Sequence, residues 1–339
     1  MFGAGGTQRI FTKPIIEQPM DIRALRYFQT VAECGSYSRG SELLRISQPA
    51  VSRTIRMLED ELGRPVFRRH GHGVTLTDAG RVLLERSQLL LRQLEQTKAE
   101  IRNTERGPSG IVTFAITPGA GHFMAPALVA EFGRAFPNVF LKIVGGFSGH
   151  IHEWLVRGQV DLACVHDPLP QRGFEVTPLI DEEAYLVGKP GSFPKKGEVR
   201  AEDLAEMPLI MPSRPNASRR LVDNWIAPHG IWLNAKYEVD DHTITRSLVK
   251  QGLGFSLLTR GAIEADLLWG EVEARALKPR MHWPLALLTC QNVPRSDILQ
   301  AFAKTIHDVV RRLNAEGAWP GQLLLPRIEK AEQKAALPA

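Results

Sequence analysis

Cysteine is scarce in this 339-residue chain: Cys34, Cys164 and Cys290 stand far apart, odd in number and without CxxC spacing. Neither a disulfide framework nor a zinc knuckle is indicated, and the three read as small buried hydrophobes. No run approaches the ~18 apolar residues that a membrane-spanning helix needs. The N-terminal MFGAGGTQRIFTKPIIEQP lacks the apolar core of a secretory leader. A cytoplasmic protein without a membrane partner is expected. Catalytic signatures are missing too. GGFSGH carries His150 where a nucleophile elbow needs its second glycine, His150 and His152 lack the HExxH spacing, and GLGFSLL does not follow a strand in the dinucleotide-binding manner. His70 and His72 fit a solvated or phosphate-facing role better than a metal site. No catalytic residue, metal or cofactor is expected.

Charge is present but segregated. The chain carries a net +5, and residues 1–110 hold 17 Lys and Arg against 12 Asp and Glu, whereas residues 111–339 hold 25 of each. All the excess positive charge lies in the first third, which is the electrostatic footprint of a phosphate-backbone binder.

The organisation also changes near residue 110. Residues 1–19 have no sustained periodicity and read as a tail or a miscalled start, with Met20 as the alternative initiator. Residues 20–77 read as helices followed by a hairpin, the strands of RPVFRRHGHGVTLT flanking a Gly/His tip. Asp78 offers an N-cap to one long helix over 78–106, and GPSG breaks it. Strands at 111–116, 139–144 and 161–165 then alternate with helices over 121–135 and 148–157. Apolar strands in a β-α-β-α-β series imply a mostly parallel sheet covered on both faces. A second set, AYLVG, PLIMP, WLNAKYEV and FSLLT with helices near 217–228 and 243–250, precedes LALLTC and a helix near 296–313. Residues 314–339 read as a loosely attached tail.

SRGSELLRISQPAVSRTIRMLEDELG, residues 38–63, carries the sharpest signal. At about 100° per residue Val51, Ile55, Leu58 and Leu62 share one narrow apolar stripe. Pro49, Ser52, Arg53 and Arg56 lie opposite it, with Gln48 at the helix start and no acid among them. Ser47 can cap this helix, and Pro49 suits its first turn. The preceding short helix, Ser38 to Arg45, turns Leu43 and Leu44 inward. Two helices so closely joined, the second polar at its exposed N-terminal half, match a helix-turn-helix reader of the major groove. Gln48 can address adenine, the arginines guanine, and Ser52 a phosphate or base edge. Ser38, Arg64, Arg68 and Arg69 complete the candidate DNA contacts.

The stretch LRYFQTVAECGSYSRGSELLRISQPAVSRTIRMLEDELGRPVFRRHGHGVTLTDAG resembles the DNA-binding module of LysR-type transcriptional regulators, and the α/β remainder is similar to their effector domain. The resemblance runs from about Met20 to Arg312. It departs at Gly40-Ser41, where the family usually places two alanines; glycine loosens a helix by up to ~1 kcal/mol. The resemblance implies an α/β protein with an N-terminal all-α winged helix-turn-helix at 20–77 and a dimerising linker helix at 78–106. It further implies an effector region at 107–313 whose two subdomains, about 107–180 with 281–313 and about 181–280, are similar to periplasmic binding proteins. Implied partners are double-stranded promoter DNA, a small-molecule effector, RNA polymerase and further copies of the chain as a dimer or tetramer, in a nucleoid-associated protein. On the linker, Leu83, Leu90, Leu94 and Ile101 fall on one heptad seam, weakened at Ser87 and Thr97.

Ligands of open α/β sheets collect beyond the carboxyl ends of strands. Those ends carry Thr117 and Gly119, Ser148 and Gly149, and His166 from the first subdomain. The second contributes Ser213, Asp241 and Thr243. Thr117 and Ser148 are the leading hydroxyl donors to a small, anionic metabolite, although either could equally serve as a helix N-cap. An effector-independent DNA binder whose α/β region only assembles oligomers remains the alternative.

Overall fold

The computed structural model describes residues 20–71, 73–102, 108–168, 173–194, 196–291 and 296–325. These fall into two compact units with the boundary between Glu95 and Gln96. The readings placed on residues 1–19, on His72 and beyond residue 325 lie outside the described residues.

The first unit contains α1 (Ile22–Cys34), α2 (Tyr37–Leu44), α3 (Gln48–Leu62), a hairpin of β1 (Phe67–His70) and β2 (Gly73–Leu76), and the start of α4 (Asp78–Arg102). Leu25, Phe28 and Val31 of α1 close a core with Val51, Ile55 and Leu58 of α3, Val66, Phe67 and Val74 of the hairpin, and Leu83 and Leu91 of α4. The apolar stripe of α3 is therefore buried as far as Leu58, while Leu62 is exposed.

Four local expectations are corrected. Ser47 precedes α3 without a side-chain cap bond. Pro49 occupies the second helical position and removes one of the two N–H groups that a cap accepts from. Thr77, not Asp78, caps α4: its Oγ1 accepts from the Gly80 N–H at 3.0 Å. Leu43 points outward at 71% exposure, and Gly40 and Ser41 are buried instead. A Cβ on Gly40 would stand 2.9 Å from Val31 Cγ2 and 3.2 Å from its Cα. The glycine lets α2 lie against α1, so the departure from alanine is a packing feature as well as a propensity cost. Finally, the linker seam is divided. Leu83 and Ser87 are buried in the first unit, whereas Leu90 and Ile101 are 53% and 66% exposed.

The second unit runs β3 (Gly110–Ile116), α5 (Pro118–Ala135), β4 (Val139–Gly145), α6 (Ser148–Val156), β5 (Leu162–His166) and β6 (Phe174–Gly188). It continues through β7 (Val199–Arg200), β8 (Leu209–Met211), α7 (Ala217–Ile226), β9 (Ala235–Glu238), α8 (His242–Lys250), β10 (Ser256–Thr259) and α9 (Arg260–Leu268). β11 (Glu273–Cys290), α10 (Asp297–Ala315) and β12 (Gln322–Leu323) complete it. The main sheet has the order β10-β6-β11-β5-β3-β4. As the sequence predicts, β3 is parallel to β4 and β5. β11 pairs antiparallel with β5 on one side and β6 on the other, β10 and β12 pair antiparallel with β6, and the short β7 lies parallel to β11.

β6 and β11 run through two lobes with separate cores. One core gathers Phe114, Met124, Leu128, Leu285, Phe302 and Trp319. The other gathers Leu186, Leu204, Val222, Phe255, Met281 and Trp283. Of the three cysteines only Cys164 is a buried hydrophobe; Cys34 and Cys290, each at the end of its element, are half-buried. The expectation of a loose tail after 313 fails as far as residue 325. Trp319 is completely buried, Leu325 is buried, and β12 pairs β6 through Gln322 with Asp181 and Leu323 with Ile180. A large indole can be sequestered only if the chain bearing it is ordered, and the Asn314 side-chain amide fixes the loop by donating to the Trp319 and Gly321 carbonyls, both at 3.0 Å.

Candidate DNA interface and ligand cavity

In the first unit the burial of Val51, Ile55 and Leu58 turns the opposite face of α3 outward. Gln48, Pro49, Arg53 and Arg56 are exposed and Ser52 is half-buried. Among the described residues, neither Arg53 nor Arg56 has an acidic partner. The acid at the far end of the helix serves the fold instead. Glu59 Oε1 accepts the Val66 and Phe67 N–H groups at 2.8 and 3.2 Å, tying the hairpin to α3. That tie brings the hairpin arginines beside the helix. Arg69 donates to Ser52 Oγ at 3.4 Å and stacks over the Tyr37 ring at 5.3 Å. Burial pushes the Tyr37 hydroxyl above its usual range, with Glu59 adding to the effect and Arg69 opposing it, so it stays neutral beside the guanidinium. Ser38, Arg64 and Arg68 are exposed. The helix face and the hairpin thus form one cationic surface held in fixed geometry.

In the second unit a cavity of about 620 Å³ opens between the two lobes, and an inner one of about 70 Å³ adjoins it through Phe147, Ser148, His166 and Asn216. Of the residues read from the sequence, Ser148 and His166 line both cavities, Gly149 and Ser213 the larger, and Thr117 and Gly119 the inner. Gly119 also serves packing, because a Cβ there would meet Thr259 Oγ1 at 2.8 Å. Asp241 and Thr243 do not line either cavity. Asp241 is the N-cap of α8, accepting from the Ile244 N–H at 2.8 Å, and both side chains are exposed. Their neighbours Asp240 and His242 take the lining positions. Both residues lie past the end of β9, Asp241 at the cap of α8 and Thr243 inside its first turn, where strand alternation no longer holds.

Neither leading hydroxyl makes a helix-capping bond. Thr117 precedes α5 without one, and its Oγ1 lies 3.4 Å from His166 Nδ1. Ser148 is the first residue of α6, whose N-cap is Phe147. His166 Nε2 meets Glu182 Oε2 at 2.6 Å, and Glu182 Oε1 accepts the Trp319 indole N–H at 3.0 Å. A buried carboxylate needs such donors. The chain Trp319–Glu182–His166–Thr117 therefore sets the orientation of the cavity wall from the C-terminal segment. His242 lies on the opposite lobe. Burial pulls it below the ordinary imidazole range, against a 3.1 Å bond that its Nε2 donates to the Ala262 carbonyl.

Two further lining residues carry no signal in the sequence. Arg220 of α7 donates from Nε to Asp167 Oδ2 at 2.9 Å and from Nη2 to the Asp167 carbonyl at 2.7 Å, joining the lobes across the cavity. Trp283 of β11 lines the inner cavity.

A cationic winged helix-turn-helix and a two-lobed α/β unit with a cavity between its lobes define a DNA-binding regulator of the kind that carries a small-molecule domain. Residues 22–81 match the bacterial regulatory helix-turn-helix of the lysR family, and residues 105–311 match the LysR substrate binding domain. The HTH-type transcriptional regulator BbuR of Bordetella bronchiseptica is 31% identical over 313 residues, covering 92% of this chain and 96% of that protein. Full-length CbnR in complex with its target DNA has the same fold, with a TM-score of 0.63 at 22% identity over 86% of this chain and 100% of that one. LysG of Corynebacterium glutamicum with bound effector Arg gives 0.59 at 21% identity over 86% and 99%. The chain belongs to the LysR family of transcriptional regulators.

Proposed function

We propose that α3 enters the major groove of promoter DNA with Gln48, Arg53 and Arg56 at base edges and Ser52 at an edge or a phosphate. Ser38, Arg64, Arg68 and Arg69 hold the flanking backbone, and a small-molecule effector in the cavity between the lobes modulates this binding. The observation that carries the reading is the pair of cationic faces, on α3 and on the hairpin, that carry no internal acid and are fixed by Glu59. The protein acts in the cytoplasm, at the nucleoid and with RNA polymerase, and has no catalytic role. Closure of the lobes on the effector is the switch. A ligand shifts that equilibrium only by its difference in affinity for the two states.

Heat denaturation of the full chain against a metabolite panel tests the effector. A ligand selective for the native state adds about 2.7 kcal/mol at a hundred times its Kd. Ser148→Ala with Thr117→Ala is expected to abolish most of that gain. An effector that stabilises the double variant as well as the parent lies elsewhere. A chain that no ligand stabilises, yet which binds DNA specifically, points instead to an α/β region that only assembles oligomers.

Leu90, Leu94, Thr97 and Ile101 still share one side of α4, and the exposure of Leu90 and Ile101 suits pairing with a second copy. Leu90→Asp with Leu94→Asp is expected to convert the dimer or tetramer to monomer by sedimentation. Unchanged assembly would assign the contact to another surface.

A further inference from the structure

The two adjoining cavities are unequal in what they still offer a ligand. Their carboxylates are already engaged. Asp240 receives the Ser213 N–H at 2.9 Å and its hydroxyl at 2.5 Å. Glu153 pairs with Arg157 at 3.5 Å, and Asp167 holds Arg220. The donors are not all spent. Among the described residues, Arg220 Nη1 makes no hydrogen bond beside those of its Nε and Nη2 to Asp167, and the indole N–H of Trp283, a residue of the inner cavity wall, is buried without a partner. A buried donor left open is costly unless something arrives to accept from it. A ligand that brings acceptor oxygens completes this set, and one that brings only donors does not.

The Arg220–Asp167 contact has a further asymmetry. Arg220 is held by two groups of Asp167: the carboxylate Oδ2 meets Nε at 2.9 Å and Nη2 at 2.7 Å, and the main-chain carbonyl accepts from Nη2 at 2.7 Å. If the carboxylate leaves, the carbonyl keeps the guanidinium in place at the cavity wall. A rotation about χ1 carries the Asp167 carboxylate off Arg220 without moving that carbonyl. Guanidinium stays charged at all working pH, and its planar fork matches a second carboxylate as well as the first. A neutral ligand that displaced Asp167 would leave the half-buried cation unpaired.

We infer that the effector is a small carboxylate, that Arg220 is the residue that recognises it, and that Asp167 is an internal carboxylate which occupies Arg220 until the ligand replaces it. This rests on the cavity being the effector site and adds the chemistry of its occupant. Because Asp167 belongs to one lobe and Arg220 to the other, the exchange also replaces a bridge made by the protein with one made through the ligand.

The test uses the full chain and acetate, the carboxylate that Asp167→Gly removes, with acetamide plus sodium chloride at equal ionic strength as the control. Acetate is expected to raise the thermal midpoint of Asp167→Gly by several degrees in a saturable manner. It should have little effect on the parent, whose own carboxylate competes, and none beyond the control on Asp167→Gly with Arg220→Gln. Asp167→Asn, which keeps the shape and drops the charge, should show the same preference for acetate. Equal responses to acetate and the control in both Asp167 variants overturn the inference. In a second arm, succinate, citrate and benzoate are compared with succinamide and benzamide on the parent, and Arg220→Gln is expected to weaken a bound acid at least tenfold. Amides that bind as tightly as the acids, with affinity lost in Ser148→Ala and kept in Arg220→Gln, retain the cavity as the effector site and remove the carboxylate from it.

Discussion

Replacement of both Arg53 and Arg56 by alanine is expected to abolish specific operator binding while leaving the fold intact. Both side chains are exposed and without acidic partners, so neither is part of the core that Val51, Ile55 and Leu58 build on the other side of α3. Each bidentate contact to a base is worth roughly 1–3 kcal/mol of discrimination, so the pair together can account for a hundredfold or more in affinity. The variants also separate two roles. A lost base contact relaxes the preference at one position of the site. A lost phosphate contact weakens all sequences alike and lowers the salt slope by about 0.9. Arg68→Ala is expected to behave in the second way. Arg69→Ala should add a local effect, since Arg69 also holds Ser52 and stacks on Tyr37. Electrophoretic mobility shifts with an operator and with mismatched duplexes, at two salt concentrations, provide the check. Unchanged specific binding by the folded double variant would remove α3 from the major groove.

The recognition helix is legible in the sequence because two independent signals coincide on it: a 3.6-residue apolar period and a charge pattern on the opposite side of that period. The hairpin is legible from its Gly/His tip, and the parallel β3-β4-β5 set from apolar strands separated by helices. What escapes depends on partners remote in sequence. Only 184–188 of β6 and 285–290 of β11 read as strand, because Pro178, Pro279 and an acidic run interrupt their patterns. The ladder absorbs them by shifting register between Ala276 and Met281 and again at Leu285 and Ala286. α9 follows β10 without any linker, Thr259 ending one and Arg260 starting the other, so no turn residue announces it. In the cavity, strand ends point to Thr117, Ser148, His166 and Ser213, since topology alone places such residues at the lobe junction. Nothing in SRRL distinguishes Arg219, buried and paired with Asp223, from Arg220 at the cavity. The seam on α4 is ambiguous for a related reason: the same apolar face serves the first unit's own core at Leu83 and lies open at Leu90.

Trp319→Ala is expected to destabilise the second unit by about 3–5 kcal/mol, the range for emptying a fully buried large aromatic site. The indole is completely buried, packs on Phe123 with ring centroids 5.5 Å apart, and donates to Glu182. Its loss therefore does two things: it opens a void, and it leaves a buried carboxylate one donor short, which by itself costs about 1–3 kcal/mol. Trp319→Phe separates them by restoring most of the volume without the N–H. That variant should lose only the smaller amount, yet it should weaken effector binding, because Glu182 orients His166 and His166 orients Thr117 at the cavity wall. Urea unfolding of the full chain, followed by circular dichroism, measures the first effect, and titration with whichever ligand stabilises the parent measures the second. A loss below about 1 kcal/mol for Trp319→Ala would mean that the segment after α10 is not packed in solution. A Trp319→Phe protein with normal ligand affinity would confine Glu182 to a structural role. Termination after residue 315 should reproduce the alanine variant's instability, so a ligand-binding fragment of this protein has to extend through Leu325 rather than stop where α10 ends.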